Sequence, residues 1–178
     1  IYYILPAAFI TRLFHITYPV SGWHSWRQSD TASIARNFME SGHNILYPQI
    51  NWGGSGTGFV ESEFQLYTFL VSLLYEIFGV QDITGRLLSA VFSVMTVYGI
   101  YLLVRKLMDE RTALWSASIY AILPLNIFYG RAFMPDALML MCSVYAVYFF
   151  SEWLDKNKIN YFVIAWLFTS AAILLKLP

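Results

Sequence analysis

Charged residues along this chain fall in clusters, and the uncharged runs between them have the lengths of membrane spans. Eighteen uncharged residues separate Arg86 from Arg105, and nineteen separate Arg111 from Arg131. Ala137 to Ser151 gives fifteen more, and Ile159 to Leu175 seventeen. A spanning helix needs about 20 mainly apolar residues, with a range of roughly 17–25. The fifteen-residue run reaches that length if Met134 and Pro135 sit at one interface and Trp153 and Leu154 at the other, with Glu152 snorkelling. The opening IYYILPAAFIT is also uncharged and reads as the end of a first span. The pattern predicts spans at about 1–13, 86–105, 112–130, 135–154 and 159–176. The chain closes on KLP directly after an apolar run. Residues 1–178 are therefore expected to be the N-terminal part of one larger transmembrane domain.

The stretch from Phe64 to Tyr75 behaves differently. It has twelve uncharged residues between Glu63 and Glu76, and runs of about 10–14 are more often interfacial or core helices than spans. Leu66, Phe69, Leu70, Leu73, Leu74 and Ile77 recur at helical spacing, as on a helix lying along a surface. Topology favours the same reading. The turns RKLMDER and DKNK hold five of the eleven Lys and Arg residues. Both are short, so the positive-inside rule places them in the cytoplasm, which works only if 64–78 does not cross. The segment 14–84, the Arg131–Asp136 turn and Lys176 then lie outside. Arg12, Arg27, Arg36 and Arg86 fall in or beside that long outer segment, where the rule has less force.

Within the outer segment a helix is expected from Thr31 to about Ser41. Asp30 or Ser29 would be its N-cap and Gly42 its stop, with Ile34, Ala35, Phe38 and Met39 on one apolar face. YPQINWGGSGTGF follows and reads as a loop, and loops held by a rigid scaffold are where sites tend to sit. The fold class is thus all-α: a polytopic transmembrane helical bundle with a long outer loop carrying short interfacial helices.

Composition agrees. The chain is 58% hydrophobic and 12% charged, against about 45–50% and 25% for soluble domains. Disorder, a basic nucleic-acid surface and a disulfide-stapled domain are excluded, the last because Cys142 is the single cysteine. Net charge is zero and indicates no partner. Placement says more: Asp30, Glu61, Glu63 and Asp136 gather at the outer face with Arg27, Arg131 and Lys176. Ionisable groups abutting spans are candidates for function. Each also has a structural reading. Asp30 suffices as a helix cap, and Asp136 suits the first turn of a helix after Pro135. Arg131 serves as an interface anchor, and Glu61 and Glu63 as caps of the surface helix. His15, His24 and His43 lack metal-ligand spacing. The GGSGTG cluster matches no phosphate-binding pattern.

Read together, HSWRQSDTASIARNF, NILYPQINWGG, GFVESEFQLY, GRAFMPDALM and the closing LLKLP resemble the N-terminal part of the bacterial membrane glycosyltransferases of family 39. These are the relatives of the dolichyl-phosphate-mannose–protein mannosyltransferases and lipid A aminoarabinose transferases, on the C-type fold. The resemblance implies transfer of a sugar from a polyprenyl-phosphate carrier to a protein hydroxyl or a glycolipid at the outer face of the bacterial cytoplasmic membrane. It implies Asp30 as the catalytic base, with Thr31 in place of the usual second carboxylate. Arg131 and Asp136 match the acid-bearing turn, and Lys176 the lysine near the lipid phosphate. Arg27, Glu61 and Glu63 join the expected substrate site. The leaving group is a phosphate, so cations rather than a general acid are needed there. One base and no carboxylate nucleophile predicts inversion at the anomeric carbon. No cofactor is implied, and ligand spacing does not support a divalent metal. The partners expected are the lipid donor, the acceptor and the bilayer, with no nucleic acid. Three alternatives stay open: an oligosaccharyltransferase-like enzyme, which would need paired acids in the second outer turn, a polytopic transporter, and a non-catalytic membrane scaffold.

Overall fold

The computed structural model describes residues 1–20, 24–52, 56, 58–60 and 63–176. It is all-helical among those residues. The eight helices are α1 (Ile4–Leu13), α2 (Ser25–Ser41), α3 (Leu66–Phe78), α4 (Asp82–Leu107), α5 (Glu110–Ile122), α6 (Pro124–Tyr129), α7 (Asp136–Lys156) and α8 (Ile159–Leu175). Among the described residues the only pairing of extended backbone is an isolated antiparallel bridge between Gln49 and Phe59. Two helices, α4 and α7, are long and apolar enough to cross a membrane, with mean hydropathies of 2.1 and 1.5 over their most apolar stretches.

The long helices α4 and α7 run parallel, with α7 packed between α4 and α8 and α4 also against α5. Aromatic rings fasten α7 to α8: Phe168 stacks on Tyr145 at 5.6 Å and on Phe149 at 5.8 Å between centroids. At one end, Lys106 of α4 bonds Glu152 and Asp155 of α7, each at 3.0 Å, and Lys156 pairs with Glu152 as well. The basic turns at 105–111 and 155–158 are thereby brought to the same end of the bundle. Asp109 starts α5 there, its carboxylate accepting from the Thr112 amide at 2.9 Å and the Thr112 hydroxyl at 2.7 Å.

Two expectations need correction. Helix α2 begins at Ser25, more than a turn before Asp30, so Asp30 and Ser29 lie inside the helix and neither caps it. Its other end is as expected: Gly42 takes a φ of +100° and its amide donates to the Phe38 carbonyl. The uncharged run 112–130 is not one helix. Pro124 has no N–H to donate and forces its predecessor extended, so α5 stops, Leu123 sits at ψ 124° and α6 starts on the proline. Helix α3 turns its hydroxyls to the protein and part of its apolar stripe away from it. Tyr67, Thr68, Val71, Ser72 and Tyr75 are buried, whereas Leu73 and Ile77 are exposed. The hydroxyls decide this orientation: Tyr67 reaches the Gly85 carbonyl and Ser89 Oγ, both at 2.8 Å, and these polar groups are satisfied only inside.

Candidate active site

The site forms at the opposite end of the bundle, where α7 starts and α8 stops. Pro135 precedes α7, so Asp136 falls in its first turn, where the helix dipole favours a carboxylate. Lys176 follows α8 in extended conformation, and its Nζ donates to Asp136 Oδ1 at 2.5 Å. The second Asp136 oxygen is buried with no protein partner.

Two segments from the outer region are fastened onto this pair. The Phe64 amide donates to the Leu174 carbonyl at 3.1 Å, which seats Glu63 beside the end of α8. Arg27 of α2 forms an ion pair with Glu63. One residue on, Gln28 Oε1 accepts from the Phe133 amide at 3.1 Å. Phe133 is fully buried, edge-on to Tyr67, and it fits because position 85 is glycine. A Cβ on Gly85 would lie 2.3 Å from the Phe133 ring. The loop after α2 is tied back by Asn37, whose Nδ2 donates to the Gln49 carbonyl at 2.7 Å and to Asn51 Oδ1 at 3.0 Å. That places Trp52 over Asp30, and the indole N–H donates to Asp30 Oδ1 at 3.2 Å.

Two adjacent cavities result, and Trp26 and Arg27 line both. The larger, of 480 Å³, is bounded by α2, α6 and α7; Asp136 and Lys176 reach into it with His24, Ser93 and Tyr129 among the others. The smaller, of 170 Å³, holds Asp30, Thr31, Trp52 and Glu63. A carboxylate and an ammonium thus sit in one chamber and a second carboxylate in its neighbour, with an arginine at the shared wall.

Of the residues expected at the site, Arg27, Asp30, Glu63, Asp136 and Lys176 are brought together across these two cavities. Glu61 lies outside the described residues. Glu63 does not cap α3: that helix has Gln65 at its N-cap position and no side-chain cap. Arg131 lines neither cavity. Its guanidinium lies over the Phe14 ring, 5.9 Å from the centroid, and burial lowers its pKa from the ordinary arginine value. The histidines scatter: His15 stacks between Phe14 and Tyr18, His43 meets Phe69, and His24 bonds the Tyr129 hydroxyl at 3.1 Å. No group of three potential metal-binding His, Cys, Asp or Glu side chains occurs among the described residues.

Sequence reasoning passed over His24, Trp26, Asn126, Tyr129 and Ser93, all of which line the larger cavity. One signal was available. Pro124 inside an apolar run marks a broken helix, and the short α6 beyond it carries Asn126 and Tyr129 to the cavity.

Comparison with known proteins gives one match. Residues 65–178, more than half of the chain, match the family described as dolichyl-phosphate-mannose-protein mannosyltransferase. No curated protein and no solved structure matches. The matched stretch contains Arg131, Asp136 and Lys176, while Arg27, Asp30 and Glu63 precede it. With a helical bundle that includes two membrane-length helices and that match, the chain belongs to the dolichyl-phosphate-mannose-protein mannosyltransferase family of membrane glycosyltransferases.

Proposed function

We propose that this chain forms the catalytic end of an inverting transferase that moves a sugar from a polyprenyl-phosphate carrier to an acceptor hydroxyl, with Asp30 as general base. The observation that carries this reading is the pair of cavities sharing Trp26 and Arg27. The larger is the donor chamber. Lys176 offers more than one N–H, so a phosphate oxygen can take one while Asp136 holds the ammonium in place. Its leucine and methionine lining suits the start of a prenyl chain. The smaller is the acceptor chamber. Trp52 fixes one oxygen of Asp30 and the other takes the proton as the hydroxyl attacks, over a hydrogen bond of about 2.6–3.2 Å. Trp26 and Trp52, 64% and 70% exposed, offer flat faces on which an acceptor can stack.

In the chemical step the acceptor oxygen bonds to the anomeric carbon, the bond from that carbon to the phosphate oxygen breaks, and the acceptor proton passes to Asp30. The leaving phosphate keeps the electron pair, and Lys176 and Arg27 stabilise its growing charge. The far end supports the expected sidedness. Lys106 joins the two basic turns there, which suits the cytoplasmic side and would leave the cavities outside. In this topology α3 lies along the membrane surface with Leu73 and Ile77 toward lipid.

The anomeric outcome tests the mechanism. With polyprenyl-phosphate mannose as donor to the full-length protein, NMR of the product should show the configuration opposite to the donor's. Retention would require a carboxylate nucleophile and would sink the single-base reading.

A further inference from the structure

Every cation reaching into the donor chamber is already answered by a carboxylate: Arg27 by Glu63 and Lys176 by Asp136. A further cation stands directly behind the wall. Arg12, near the end of α1, has no exposed surface, and no Asp or Glu pairs with it among the described residues. Its Nε donates to Ser93 Oγ at 2.7 Å, and its Nη1 donates to the Ala8 carbonyl at 2.8 Å and to the Ala121 carbonyl at 3.4 Å. Its Nη2 has no partner. Ser93 and Gly130 line the chamber on their other side. The wall is thin there: a Cβ on Gly130 would lie 2.4 Å from Ser93 Oγ and 2.9 Å from Arg12 Nε.

Resting on the donor-chamber reading above, we propose that Ser93 is a further donor to the anionic phosphate of the lipid carrier, and that Arg12 is the positioning residue behind it. Two features require this pairing. Ser93 Oγ accepts from a guanidinium, so its own hydrogen is turned away from Arg12 and its O–H is polarised toward the chamber. A buried cation with no counter-ion is costly in a low-dielectric surrounding, and an anion on the far side of a glycine-thin wall offsets that cost. Arg12 touches no ligand. It orients Ser93 and contributes a positive charge that no carboxylate among the described residues answers.

The test is equilibrium binding to the full-length protein in lipid nanodiscs, with polyprenyl phosphate and neutral polyprenol as probes and inorganic phosphate as competitor. Ser93→Ala should weaken polyprenyl phosphate roughly tenfold or more, the loss of one hydrogen bond to a charged group, while leaving polyprenol unchanged. Arg12→Gln should do the same with the hydroxyl still present. Should Arg12→Gln fail to fold, Ser93→Ala decides alone, because it removes one small atom. If wild type binds polyprenyl phosphate and Ser93→Ala binds it equally well, the inference is overturned and the donor chamber stands. If wild type does not prefer polyprenyl phosphate to polyprenol, the donor-chamber reading falls, and this inference with it. Inorganic phosphate competing at the same concentrations as the lipid would overturn the assignment to a lipid headgroup.

Discussion

Gly85 shows how one residue sets the site from a distance. It lies on α4, away from both cavities, yet its missing side chain is what lets Phe133 enter and hold the turn that leads into Asp136. In Gly85→Ala the new methyl meets an aromatic ring whose other faces are packed, so the ring and its turn must move. Overpacking of this kind costs about 1–3 kcal/mol. Thermal unfolding in detergent should show a lowered Tm, and an unchanged Tm would mean that Phe133 is not wedged as described. Residue chemistry was legible where charge and position coincided: Asp136 after Pro135 and Lys176 at the end of an apolar run were both placed at one face from the sequence, and they pair in the structure. The reading of Asp30 as a cap failed, because Ser25 starts the helix five residues earlier with no side-chain cap to announce it. Ser93 was not legible at all. A serine in an apolar helix carries no mark of which neighbour its hydroxyl meets.

At the scale of the element, helix starts and breaks place the chemistry. The Leu123–Pro124 break turns α6 toward the larger cavity, and the hydroxyl face of α3 decides which way its leucines point. The break was hidden because an apolar run looks continuous across a proline when hydropathy alone is read. The leucine stripe of α3 was read as that of a surface helix, but its hydroxyls carry no mark in the sequence of where they bond. The start of α5 makes a pH-dependent prediction. Bonds from the Thr112 hydroxyl and amide hold the Asp109 carboxylate below its ordinary pKa in the folded protein. A depressed folded pKa contributes stability that is fully present above the unfolded value of about 3.9 and is lost as pH falls through the folded one. The Tm gap between wild type and Asp109→Ala should therefore be widest near neutral pH and shrink below about pH 4. A gap that stays constant into acid would show that the carboxylate's charge is not what caps the helix.

For the whole molecule, the bundle keeps two charge systems apart. At one end, Lys106, Lys156, Glu152 and Asp155 neutralise one another and lock α4 to α7. At the other, Arg27, Glu63, Asp136 and Lys176 surround two cavities, with Arg12 unanswered behind the wall. The separation was visible in the sequence as charge clusters between uncharged runs, which is why fold class and sidedness could be argued before any coordinates. The division into two cavities was not, because it depends on Trp26 and Arg27 standing between groups more than a hundred residues apart. The central claim of that arrangement is that Asp30 takes the acceptor's proton. The direct measurement is the transfer rate of Asp30→Asn in the full-length protein at saturating polyprenyl-phosphate sugar. Asparagine can still accept the Trp52 hydrogen bond and is close to isosteric, so the chamber persists while the base is gone. The account predicts a fall of about 10²–10⁴-fold with polyprenyl phosphate binding unchanged; a rate equal to wild type would contradict it.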